Sequence, residues 1–188
     1  MDPIEIFREL INQVNRIQTA ASAGDDAVSA PLFRSALVLT VAAIDTYVHE
    51  IGTIALNDHW RVGDRSAICD YLNFPEERSA DDALGADEIR YALSSKTLVS
   101  PQRIEELVQC CGQLPSTLWR SVAIKNASKP GKIKTHLQLV YDRRNQIAHA
   151  GDWNPVEVEF YPISSVNVDD CKMVARQVVY GIDSLLKP

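Results

Sequence analysis

Apolar residues recur at three- and four-residue steps through most of the chain, the period of an α-helix with one buried face. Ile4, Phe7, Ile11 and Val14, then Ile17 or Gln18, follow these steps after Pro3, whose fixed φ and missing N–H suit a first helical turn. After a break at 24–29, the spacing predicts a longer central helix over about 30–57. Phe33, Leu37, Val41, Ile44, Val48, Ile51 and Ala55 form its buried stripe. The stretch 60–100 is acidic and is punctuated by Asn73, Pro75 and Gly85. It reads as a peripheral insertion with short helices over 64–72 and 86–98. Further helices are predicted over 102–111 and 116–126, separated by Gly112 and Pro115. After the Lys129-Pro130-Gly131-Lys132 loop, Ile133, Leu137, Val140, Ile147 and Ala148 share a face of another helix, which Gly151 ends. Val156, Val158 and Phe160 alternate with Glu157, Glu159 and Tyr161. With no second strand pattern to pair with, this segment is expected to pack extended on helices. A last helix is predicted over 169–186. The fold class expected is all-α, one domain over 1–188 with long central helices.

Composition narrows the class. The 188 residues are 46% hydrophobic and 23% charged, which suits one globular domain and excludes a disordered or collagen-like chain. The longest apolar run, 36–44, is interrupted by Thr40 and falls well short of the roughly 20 residues a bilayer requires. No membrane span is expected. Asp2, Glu5 and Glu9 stand where a secretory signal carries a cationic start, so the expected location is cytoplasmic. Cys110 and Cys111 are adjacent, and Cys69 and Cys171 are remote. That spacing fits neither a disulfide framework nor a metal site, and no metal or cofactor is expected.

The net charge of −6 argues against a polyanionic partner, but its distribution reverses the picture. Residues 120–144 hold seven cations (Arg120, Lys125, Lys129, Lys132, Lys134, Arg143 and Arg144) and one acid, Asp142, while the remainder holds 12 cations and 24 acids. Such asymmetry suits one phosphate-binding face on an otherwise acidic surface. A solvated helix face is the plainer alternative.

The run from Tyr141 to Asp152 carries the chemistry. At 100° per residue, Arg144 falls within the stripe of Ile133, Leu137, Val140 and Ile147, where a permanent cation requires an anion. Asn145 precedes His149 by four residues, so their side chains are neighbours on a helix. His149 stands in the last turn, where the helix dipole favours an imidazolium. The alternative is structural, with Arg144 paired to a core carboxylate and His149 capping the helix.

Arg144-Asn145-Gln146-Ile147-Ala148-His149 is similar to the signature of the HEPN superfamily, an Arg and a His separated by four to six residues with a polar residue directly after the Arg. The stretch Ala43-Ile44-Asp45-Thr46-Tyr47-Val48-His49-Glu50 also resembles the second helix of the RiboL-PSP-HEPN branch or its MAE-type relatives. The resemblance implies an all-helical bundle that dimerises with two motifs facing across the twofold axis. It implies a metal-independent endoribonuclease of toxin–antitoxin or phage-defence type, or a module that binds RNA or protein without cutting. Arg144, Asn145 and His149 would be catalytic. Arg143, Lys125, Lys129, Lys132 and Lys134 would hold RNA, and an antitoxin or defence-system protein would be a further partner. Gly151 occupies the position where members modified by a nucleotidyltransferase antitoxin carry Tyr, so that modification is not expected. Asp45 and His49, four residues apart on helix two, either line the same cleft as accessory residues or form an ordinary intrahelical pair. Tyr141 and Trp153 flank the motif and are candidates for base stacking.

Overall fold

The computed structural model describes residues 1–75 and 84–187. Among them, α1 (Pro3–Ala23) and α2 (Asp26–Val62) form the central hairpin. Asp2 accepts the Ile4 N–H at 3.1 Å and Asp25 accepts that of Val28 at 3.1 Å, so each helix starts on an acidic cap. The Asp25 cap explains why α2 begins at Asp26, about one turn before the expected start at 30. The whole predicted stripe of α2 is buried, and so are Ala36, Thr40, Ala43, Tyr47 and Leu56. A helix apolar around its circumference belongs in the middle of a core. The buried hydroxyls of Thr40 and Thr53 are satisfied by the carbonyls of Ala36 and His49, four residues back. The same composition corrects the run-length reading of membrane spans. Over Ala27–Val62 the most apolar stretch reaches a mean hydropathy of 1.8 and is long enough to cross a bilayer. Isolated polar residues interrupt a run without lowering the average much.

The segment expected at the periphery contributes to the same core. It holds α3 (Arg65–Leu72) and α4 (Ala86–Leu93), and Ile68, Ile89, Leu93, Leu98 and Val99 are fully buried. The middle of the expected insertion, 76–83, lies outside the described residues. Helix α4 stops five residues short of its predicted end because the Leu98 N–H donates to Asp45 Oδ1 at 2.7 Å rather than to a helical carbonyl. Next come α5 (Pro101–Cys110), α6 (Pro115–Lys125) and α7 (Pro130–Ala150), each with Pro in its first turn. The final helix, α8 (Ser165–Leu186), is capped reciprocally by Ser164 and Asn167. It crosses α6 at Gly181, where a Cβ would stand 2.1 Å from a Val122 methyl, so only glycine permits that approach.

Between α7 and α8 the chain forms a minimal antiparallel hairpin, β1 (Trp153–Asn154) and β2 (Glu159–Phe160), pairing Trp153 with Phe160. This corrects the expectation of an unpaired extended segment. The partner strand exists, but two residues are too few to show an alternation in sequence.

Candidate functional site

Helix α7 ends on two left-handed residues, Gly151 at φ 60° and Asp152 at φ 66°. Their N–H groups donate to the carbonyls of Ile147 and Gln146 at 3.1 and 3.3 Å, the first being the 5→1 bond of a left-handed helix cap. The turn drives Asp152 into the interior, where it is fully buried. Its Oδ2 accepts from Arg34 Nε at 2.7 Å and Arg143 Nη2 at 2.9 Å. The two guanidiniums also donate to the carbonyls of Tyr161 and Pro162 and lie over the rings of Phe160 and Tyr161. One carboxylate thus ties α2, the end of α7 and the hairpin together. Arg143, expected to hold RNA, spends its guanidinium on this cluster. Asp152 and Arg34 had no signal in the sequence, since an Asp after a helix-ending Gly is ordinary and Arg34 lies 118 residues away.

Arg144 is half-buried on the stripe, as its spacing required. Its Nη1 donates to Asn145 Oδ1 at 2.9 Å. Its Nε is buried with no hydrogen-bond partner, and among the described residues no carboxylate pairs with it. The core acid of the structural alternative is therefore absent from its surroundings among those residues. Asn145 is half-buried beside it, and His149 is exposed in the last turn of α7. Asn145 and His149 share one side of the helix, about 6 Å apart along its axis, while Arg144 and His149 diverge by about 140°.

The lysines do not join this group within one chain. Lys125 donates to Ser184 Oγ at 3.0 Å and Lys134 pairs with Glu105 at 2.6 Å. Lys129 and Lys132 are exposed at the start of α7, so Lys132 stands about 25 Å along the helix from His149. Asp45 and His49 are 3.7 Å apart and face a different neighbour. Asp45 accepts from the Leu98 N–H, and His49 Nε2 lies 3.1 Å from the Lys96 carbonyl. A carbonyl can only accept, so His49 carries its proton on Nε2. Together the two residues pin the loop 94–100 onto α2.

Trp60 and Trp119 are core residues, and Trp119 Nε1 donates to Glu105 at 2.7 Å. Trp153 is partly exposed, with its ring edge-on to Phe160 at 5.3 Å. All four thiols are free and buried. Burial pushes Cys110 and Cys171 up to about 12, far from nucleophilic use. Among the described residues, no group of three or more His, Cys, Asp or Glu side chains is placed to hold a metal ion.

No curated protein and no solved structure matches the chain. The family model of RiboL-PSP-HEPN matches residues 2–187, nearly the whole length. With an all-helical bundle built on one long central helix, the chain belongs to the RiboL-PSP-HEPN family, a family of HEPN type.

Proposed function

We propose that this chain is a metal-independent endoribonuclease that acts as a homodimer in a toxin or phage-defence setting. Membership of a HEPN-type family supports the coarser reading of a nuclease or RNA-binding module. The observation that carries the finer one is Arg144, a half-buried guanidinium with a vacant Nε donor and no carboxylate partner among the described residues. An RNA phosphate satisfies both needs. In the reaction, the 2′-oxygen bonds to the adjacent phosphorus as the bond from phosphorus to the 5′-oxygen breaks. The 2′-hydroxyl proton passes to a base, and an acid protonates the leaving 5′-oxygen. The products are a 2′,3′-cyclic phosphate and a 5′-hydroxyl. His149 supplies acid or base catalysis, Arg144 stabilises charge on the non-bridging oxygens, and Asn145 orients the guanidinium to which it is bonded.

His149 makes no hydrogen bond among the described residues, and it points away from Arg144 on its own helix. A second copy brings one chain's His149 towards the other's Arg144. Leu139 (60% exposed) and Met173 (45%) border a groove of about 560 Å3 between α7 and α8, an apolar surface that suits such contact. The lysines at the start of α7 then serve as distal backbone contacts rather than as ligands of the scissile phosphate.

The test is cleavage of 5′-labelled RNA in EDTA. The unaltered protein should cut, and His149→Ala and Arg144→Ala should each lose about 10²- to 10⁴-fold in rate with an unchanged far-UV helical signal. Retained cleavage in either variant would remove that residue from catalysis. Binding without cleavage by the unaltered protein would favour a non-catalytic module. A monomer by light scattering at micromolar concentration would rule out the shared site.

A further inference from the structure

The loop that Asp45 and His49 hold against α2 walls a second cavity, of about 500 Å3, beside the motif helix. Asn73, Ser95, Lys96, Thr97, Ser100, Arg103 and Tyr141 line it, and among the described residues no carboxylate does. Two cations, three hydroxyls and a phenol therefore converge on a space of ligand size. Ser100 caps α5, accepting the Arg103 N–H at 3.3 Å, so the positive end of a ten-residue helix opens at the same wall. Glu106, one turn further along α5, pairs with Arg103 Nη1 at 2.8 Å and accepts from Gln102 at 2.9 Å, at an exposed position where an entering phosphate competes for the guanidinium.

Lys96 shows what the cavity lacks. Its ammonium lies 4.5 Å from the centre of the Tyr71 ring and donates to the Tyr71 carbonyl. Burial first, and then the neighbouring Arg103 cation, lower its pKa. Glu106 offsets these effects only in part, and an anion entering the cavity acts in the same direction as Glu106. The cavity's place on α7 supplies the second half of the argument. Tyr141 precedes Asn145 by one turn and His149 by two, about 6 and 12 Å along the axis on the same side of the helix. A chain of phosphates lying along that side meets the motif and the cavity in succession.

We infer that this cavity is a phosphate subsite for the RNA backbone flanking the cut, with Lys96 and Arg103 as its ligands and Tyr141 placed to stack on the adjoining base. The position relative to the cut rests on the nuclease reading above; the phosphate binding itself does not. Hydroxyl and helix-end donors turn the subsite towards phosphate oxygens, which makes it indifferent to sequence.

A labelled 2′-O-methyl oligonucleotide, which lacks the attacking hydroxyl, separates binding from cleavage. Its affinity for the full chain is measured by fluorescence anisotropy across a salt series. Arg103→Ala should weaken binding on the order of tenfold and flatten the slope of log affinity against log salt by about 0.7, the contribution of one phosphate contact on a single strand. Arg103→Lys, which keeps the charge, should restore most of the slope. Arg16→Ala, exposed on α1, should change neither quantity. Arg103 is the decisive position because its ion pair with Glu106 is exposed, whereas Lys96 is partly buried and donates to the Tyr71 carbonyl. Unchanged affinity and slope in Arg103→Ala overturn the subsite whether or not RNA is cut. An equal loss in Arg16→Ala, or no binding by the unaltered protein, overturns it as well. If Arg103→Ala instead loses only ADP binding and keeps the oligonucleotide, the phosphate comes from a free nucleotide and the RNA assignment fails. A flattened slope in a protein that cuts no RNA keeps the subsite and removes the nuclease reading.

Discussion

Asp152 is a carboxylate with no exposed surface, and two guanidiniums meet its Oδ2 at 2.7 and 2.9 Å. Removing it leaves Arg34 and Arg143 facing one another with side chains only 14% and 25% exposed. Breaking such a group from one side is costly, since the remaining charges lose their compensation while staying largely desolvated. We expect Asp152→Ala to lower unfolding free energy by about 3 kcal/mol, read from urea denaturation, and Asp152→Asn to lose less because it keeps an acceptor. A loss below about 1 kcal/mol would show that the cluster relaxes into solvent. At this scale the sequence was legible where the constraint was local. The stripe placed Arg144 half inside, and there it lies. Asp152 was invisible because its partner Arg34 stands 118 residues away.

Helix α7 carries two of its cations at the wrong end for its own dipole. Lys129 occupies the N-cap and Lys132 the first turn, and no acid stands in that turn. The positive end of a helix repels them, so the fold gains nothing from their placement. Lys132→Glu should raise stability by about 0.5 kcal/mol, visible as a higher thermal midpoint at low salt. The double change Lys132→Ala and Lys134→Ala should flatten the salt dependence of RNA binding by about 1.4. It should leave cleavage at saturating RNA unaltered, because these residues lie far from His149. An unaltered slope would mean the basic run faces ordinary solvent. Most element positions were legible in the sequence because prolines, caps and three- to four-residue spacing act within a turn or two. Helix α4 escaped the reading at its C-terminus, where Asp45, 53 residues earlier, takes the Leu98 N–H.

For the molecule as a whole, the buried acids set an alkaline limit. Burial raises Cys110 and Cys171 to about 12 and lifts Cys111, Tyr47 and Tyr71 further. Below about pH 8 the folded and unfolded chains both keep these groups protonated. Above it, the unfolded chain releases thiol protons near 8.5 and phenol protons near 10, while the folded chain holds them. The unfolded state then binds fewer protons, so stability falls as pH rises from about 8.5 towards 12. Denaturant midpoints should be flat from pH 6.5 to 8 and decline above. A flat profile to pH 11 would show that these groups reach water in the native state. Because all four thiols are buried, none should react with an aromatic disulfide reagent at pH 7.5 before denaturation.

Helical class, the presence of a long central helix and the position of the motif could be read from the chain alone, because each follows from contacts between residues a few positions apart; the central helix runs over Asp26–Val62, longer at both ends than the expected 30–57. The family signature is local in the same way, six consecutive residues on one helix. The tertiary structure alone decided that Arg143 belongs to a buried carboxylate, that the lysines stand far along α7 from His149, and that Asp45 and His49 hold a loop rather than meet the motif. It also decided that Lys96 and Arg103 converge on one cavity next to Tyr141. Those pairings join segments far apart in sequence, and their energy comes from desolvation and charge compensation that arise only when the segments pack. No periodicity along the chain records them.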